Sequence, residues 1–205
     1  MIGGIIQQQK FELIRNKIAE ILAVEIANQY TLSNLDYLQN LKVWTERIIT
    51  FDNTELPCIN VSFSDGNYDG QTAVTTDGSY NYNIDIYTSA TVGNESDALA
   101  MIKLQRIMGI CRVILEYPTY NTLTFVKPYI FRSKVASLAI ANPNDKNTEN
   151  VVMGRLVLAV KAPETNQLND FGSCSEISTT VKLYDTEKGY YWLDEFQYIL
   201  QTNTF

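Results

Sequence analysis

Between residues 56 and 162 the chain orders its apolar residues in a way that leaves few folds open. LPCINVSF (56–63) and SYNYNIDIY (79–87) alternate apolar and polar side chains, the period of a strand with one covered face. ESDALAMIKLQRIMGICRVILEY (95–117) then repeats apolar residues at three- and four-residue steps, the period of a helix. VVMGRLVLAVKA (151–162) closes the stretch, apolar on both faces as a central strand is. Strand, strand, long helix and returning strand imply a small antiparallel or mixed sheet backed by helices.

The flanking segments fill in this plan. Over 8–28, Phe11, Ile14, Ile18, Ile21, Leu22 and Ile26 make one apolar stripe, with Glu12, Arg15, Lys17 and Glu20 opposite, which predicts a helix packed on the sheet. Residues 30–43 are ambiguous, with a short helical turn as one reading. The β-branched run in 44–51 predicts a strand, DNTE a turn, and Pro57 an extended backbone at Leu56. On the next two strands Ile59, Val61 and Phe63 share a face, as do Tyr80, Tyr82, Ile84 and Ile86. Asn94 or Ser96 would cap the long helix, and Glu95 and Asp97 favour its N-terminus. Its apolar surface is wide, from Leu99, Met101 and Ile102 to Leu115. That predicts cover on more than one side, from the sheet and from a neighbouring subunit. Pro118 ends it. LTFVKPYIF (123–131) and KVASLAIA (134–141) are two short strand candidates, and 142–150 a polar turn.

After Pro163 the character changes. Residues 164–176 read as a linker, 177–184 as a strand candidate, DTEKG (185–189) as a turn, and the rest as an aromatic tail. The expectation is an α+β fold: a small antiparallel or mixed β-sheet flanked by two long helices (8–28 and 95–117), with a C-terminal extension. The domain would occupy 1–164 and the arm 165–205, a size that suits one domain with an appendage.

The chemistry is narrowed by an absence, since the 205 residues include no histidine. Ser/His/Asp and Cys/His nucleophilic centres and histidine metal sites are therefore excluded. Cys58, Cys111 and Cys174 are an odd number at unrelated spacings and support neither a disulfide framework nor a zinc cluster. Cys58 and Cys111 read as small core hydrophobes, and Cys174 as a loop thiol, which points to assembly in a reducing cytoplasm. Asp65, Asp69 and Asp77 are the best carboxylate cluster. They lie in the polar stretch 64–79, which has neither the order of a calcium loop nor the lysine of a phosphate loop. That stretch reads as a long hairpin loop projecting towards a neighbour. No catalytic residue, cofactor or metal is expected, and the chain reads as a non-enzyme.

The net charge of −7 opposes a sequence reader of DNA, which needs a basic surface, but suits a wall that DNA slides past. MIGGIIQQQK lacks a signal peptide's basic start, and no apolar run reaches the roughly 20 residues that span a bilayer, so a soluble protein is expected. Tyr190, Tyr191, Trp192, Phe196 and Tyr198 cluster in the tail. Three readings stay open for them: packing on their own domain, docking on a neighbouring subunit, or stacking on a sugar.

The order of IRNKIAEIL, LPCINVSF, YNYNIDIYT, ALAMIKLQRIMGICRVIL and GRLVLAVKA resembles the tail terminator (tail completion) proteins of tailed bacteriophages and their relatives in the head–tail neck. It covers residues 8–162, and family chains are commonly shorter, so 165–205 has no counterpart there. The resemblance implies a structural virion protein forming an oligomeric, typically hexameric, ring at the tail–neck junction. Such a ring caps the tail tube and joins it to the head.

The implied partners are further copies of the chain, the tail tube protein and a neck or head-completion protein. DNA would pass the lumen without sequence recognition, and no membrane is involved. The site of action would be the virion, after assembly in the host cytoplasm. Contacts are expected from Asp65, Asn67, Tyr68 and Asp69 in the 64–79 stretch and from Tyr190, Tyr191, Trp192 and Phe196 in the arm. The alternatives are another neck, head-completion or sheath-associated ring, or a carbohydrate-binding adhesion module.

Overall fold

The computed structural model describes residues 8–48, 51–69, 75–89, 96–126, 129–141, 151–165, 177–185 and 189–198. It divides into two units, one formed by 6–166 and one by 167–205 with the first five residues.

In the larger unit α1 (Lys10–Ser33) is followed by a single turn, α2 (Asp36–Gln39), and the short strand β1 (Lys42–Thr45). Then come β2 (Cys58–Asp69), β3 (Thr75–Ser89), α3 (Ser96–Glu116), β4 (Arg132–Ala141) and β5 (Val151–Thr165). The sheet order is β1-β2-β3-β5-β4, with β1 and β2 parallel and every other pair antiparallel. The fold is α+β with a mixed sheet. In the smaller unit β6 (Ile177–Asp185) and β7 (Gly189–Tyr198) form an antiparallel two-stranded sheet, so the described part of the aromatic tail, through Tyr198, is a strand.

Both long helices lie on one face of the five-stranded sheet, α1 over β1 and β2, α3 over β3, β5 and β4. The core between them is continuous. Ile14, Ile18, Leu22 and Ile26 from α1 meet Ile59, Val61, Tyr82, Ile84 and Ile86 from β2 and β3, and Leu104, Ile107, Cys111 and Leu115 from α3 meet Leu156, Leu158 and Val160 from β5. The alternation read from β2 and β3 and the stripe read from α1 are the faces that are buried here. α1 runs five residues past its predicted end. It stops where Asn34 turns left-handed (φ 51) and sends its N–H back to the Tyr30 carbonyl at 2.8 Å, an αL cap.

Four expectations need correction. The strand expected over 44–51 is β1 instead, two residues earlier and only four long. Glu46 ends it in a left-handed conformation (φ 50), its carboxylate accepting the Phe63 N–H at 2.7 Å in place of a ladder bond. Among the described residues of 123–131 none is strand, and Leu123 and Thr124 are both left-handed (φ 50 and 61), which no extended chain tolerates. Leu123 and Ile130 are nevertheless buried, so the segment plugs the core as an irregular loop. Nor does a linker begin at Pro163: β5 continues to Thr165, pairing Pro163 with Asp77 of β3. Pro163 lies beyond the point where β4 runs alongside, so its missing N–H costs no bond on that side.

The fourth correction concerns the 64–79 stretch. Its first and last parts are strand: Asp65 pairs with Asn81, Asn67 with Ser79, Tyr68 with Gly78 and Asp69 with Asp77, after a bulge at Ser64. The glycines that suggested a loop serve a close approach. A Cβ on Gly66 would sit 2.9 Å from the Tyr80 ring, and one on Gly78 2.7 Å from the Tyr80 hydroxyl. The helix-capping residue Asn94, the thiol Cys174 and the polar stretch 142–150 lie outside the described residues.

Candidate assembly surface

Three regions present side chains that the core does not consume. The first is the far end of the β2–β3 ribbon, where four of the contact residues expected from sequence lie. Asp65 accepts a hydrogen bond from Asn81 Nδ2 at 2.8 Å. Tyr68 is half exposed and packs edge-on to Tyr80, ring centres 5.9 Å apart. Tyr80 itself is buried, and its hydroxyl donates to the Glu164 carboxylate at 2.5 Å. Lys10 donates to the Pro163 carbonyl, lies 3.9 Å from Glu164 and sits over the Tyr129 ring at 4.8 Å. Burial pushes the Tyr80 phenol up and the Lys10 amine down, each from its ordinary value. This knot fastens the first turn of α1 to β3 and the end of β5.

The second region is the β1 edge. Arg47 makes a two-pronged pair with Glu55 (2.8 and 2.7 Å) and is held between the Trp44 and Phe51 rings at 4.7 and 4.4 Å. Behind it, buried Asn60 donates to the Arg47 carbonyl and accepts its N–H, both at 3.0 Å. Glu55 is pulled below its ordinary value by the Arg47 hydrogen bonds. Arg47, Glu55 and Asn60 satisfy one another, while the buried Trp44 Nε1 has no hydrogen-bond partner among the described residues.

The third region was legible in part as the wide apolar surface of the long helix. α3 buries Leu104, Ile107, Cys111 and Leu115, while its outer side leaves Leu99, Ile102 and Val113 between 54% and 64% exposed. Beside it β4, the other edge strand, exposes Leu138 and Ile140 by 47% and 42%. Sequence periodicity flagged the helix. The edge position of β4, set by the β3-β5-β4 order, carried no local signal.

Tyr190, Tyr191 and Trp192 lie on β7 opposite Tyr184, Leu183 and Lys182 of β6, and Phe196 lies opposite Thr179. These four therefore share one strand in the smaller unit, apart in sequence and unit from Asp65, Asn67, Tyr68 and Asp69.

Cys58 and Cys111 are pushed up to about 12 by burial and remain thiols at neutral pH. A cleft of about 560 Å³ between the α1–α2 joint and the ends of β2 and β3 brings Asp36 and Lys103 to its walls, without a nucleophile–base pair. Among the described residues no cluster of three metal-ligating side chains occurs, and no helix is long and apolar enough to cross a membrane. Comparison with protein-family models and with curated proteins gives no match.

Proposed function

We propose that the chain is a non-enzymatic structural subunit of a tailed-phage-like particle. In this reading copies form a ring, typically of six, that caps the tail tube at the tail–neck junction and joins it to the head. One observation carries the self-assembly part. The core of the larger unit is already complete, yet α3 and the neighbouring β4 edge keep Leu99, Ile102, Val113, Leu138 and Ile140 exposed. A monomer gains nothing from such a patch, and burial of about 25 cal/mol per Å² rewards covering it with protein. The order of elements that resembles tail terminators gives the place in the particle.

The physical role is simple. A growing tube exposes a repeating surface that accepts subunit after subunit, and a ring matching that surface on one side only ends the process. The net charge of −7 keeps the passing DNA backbone from sticking to the wall.

The test is to add the purified chain to tail tubes while they elongate. The reading expects growth to stop, with caps visible at one tube end by electron microscopy. Binding to the head-side connector with no effect on tubes would move the ring to another level of the neck. Binding to neither would remove the reading.

A further inference from the structure

The outer side of α3 and the β4 edge enclose a groove of about 500 Å³, walled by Met108, Arg112, Leu138 and Ile140, with Gly109 on its floor. Gly109 is the unexplained residue. It stands mid-helix, where glycine is destabilising by roughly 1 kcal/mol relative to alanine. Nothing inside the fold asks for it, since an added Cβ would meet no atom within 4 Å. With no Cβ and open space above it, the helix backbone at Gly109 can be approached closely from outside.

The edge beside it is equally open. β4 runs ten residues, and beyond Lys134 it reads VASLAIA, without charge or proline. Its outer side has no partner strand among the described residues. Natural edges of that kind are normally blunted or covered; among the described residues this one has Arg132 and Lys134 at its start and a bulge between Val135 and Ser137, and nothing of either kind beyond.

The chain also holds a segment that needs covering. β6 and β7 form a two-stranded sheet, a unit marginally stable at best in water without a third strand or a packing surface. Five of the ten residues of β7 are aromatic.

Charge separates the two surfaces. Residues 177–198, which hold the hairpin, carry four carboxylates and two lysines, a net of −2, and Asp170 and Glu176 precede them. By sequence, α3 and β4 carry Lys103, Arg106, Arg112, Arg132 and Lys134 against Asp97 and Glu116, with Arg112 paired to Glu116 at 3.0 Å and Lys103 turned to the cleft at the α1–α2 joint.

We propose that the α3–β4 groove receives the β6–β7 hairpin of a second copy of this chain, the hairpin lengthening the sheet along β4 and laying its aromatic residues over Gly109. The proposal deepens the ring reading by naming the joint, and rests on it only in needing more than one copy. The joint is head-to-tail, with groove and hairpin at different places on each copy, so repetition makes a ring or a filament. The backbone pairing supplies affinity, as in strand addition generally, and the cations around the groove select the acidic hairpin. The 11 residues from 166 to 176 tether it, a reach of at most about 40 Å, so the donor must be an adjacent copy.

Two full-length variants test it. The acceptor variant carries Leu138→Lys and Ile140→Lys, and the donor variant carries Tyr191→Lys and Trp192→Lys. The mass of each in solution is measured alone and after mixing. The wild-type chain is expected to self-associate, and each variant alone to do so about a hundredfold more weakly, as loss of an interface hot spot does. Mixed one to one, they should form a dimer and nothing larger, because one intact joint then remains. Recovery on mixing also shows that both variants are folded. Gly109→Ala should raise the melting temperature of the dissociated chain while weakening association.

If both variants assemble like the wild type, the joint lies elsewhere and this proposal fails while the ring stands. If both are monomeric and mixing restores nothing, the hairpin is not the occupant, whether it folds onto its own copy or meets another protein. A wild-type chain monomeric at every concentration also overturns the joint. Capping of the tube is then decided separately by the tube-growth experiment.

Discussion

The two edges of the sheet are built on opposite principles. At the β1 edge the strand is four residues long, Glu46 turns the chain away, and the Arg47–Glu55 pair stacks between Trp44 and Phe51 with every prong bonded. At the β4 edge the strand is ten residues long, apolar beyond Lys134, with Leu138 and Ile140 in solvent. One edge is closed by a bonded Arg–Glu pair between two rings, and the other keeps Leu138 and Ile140 exposed among the described residues. The difference teaches where to look for assembly. A protein avoids an open apolar edge unless a partner closes it, so the surfaces that matter are those the monomer leaves incomplete.

Alkali should break the closed part of the molecule most completely. Burial raises the thiols Cys58 and Cys111 from 9.0 to about 12, and it also raises the phenols Tyr80 and Tyr82. A group raised in the folded state contributes stability that is present below its unfolded value and is lost as pH rises towards its folded value. Stability should therefore be level at neutral pH and fall steadily above about pH 9. Urea midpoints taken across the pH range check this. None of these groups belongs to β4, so the exposed edge adds nothing to the loss.

Next in size is truncation under α3. Leu104→Ala empties a fully buried site and should cost about 2–5 kcal/mol, whereas Leu99→Ala on the outer side should stay within about 0.5 kcal/mol. Equal losses in denaturant titrations would mean that the outer side is covered within the monomer. Asn60→Ala follows. It strands the part-buried Arg47 backbone N–H and carbonyl and should cost about 1–3 kcal/mol, opening the β1 edge to hydrogen exchange. The smallest effect belongs to the open edge. Leu138→Lys should leave the stability of the dissociated chain within about 0.5 kcal/mol, since the lysine reaches water from a strand that already faces it. A larger loss would show that β4 is no free edge.

Much of the scaffold was legible in the chain. The alternation of Tyr80, Tyr82, Ile84 and Ile86 and the stripe from Ile14 to Ile26 fixed two faces of the core, because local period and burial agree there. Where reading failed, a tertiary contact overrode local chemistry. Gly66 and Gly78 read as loop, but they make room for the Tyr80 ring inside a long ribbon whose far end is also paired with β5. Leu123 looked like strand and is instead a buried plug held by left-handed backbone. Of the candidate contacts, Asp65, Asn67, Tyr68 and Asp69 sit on the ribbon, and Tyr190, Tyr191, Trp192 and Phe196 share β7. The groove at Gly109 was not legible, because it exists only once the sheet order places β4 beside α3.

The most direct measurement is the mass of the purified full-length chain in solution, taken together with negative-stain images of the same sample. The account predicts closed rings with an open centre, their copy number read from the symmetry and matched by the mass. A population that stays monomeric at every concentration and forms no ring on tube ends would contradict it.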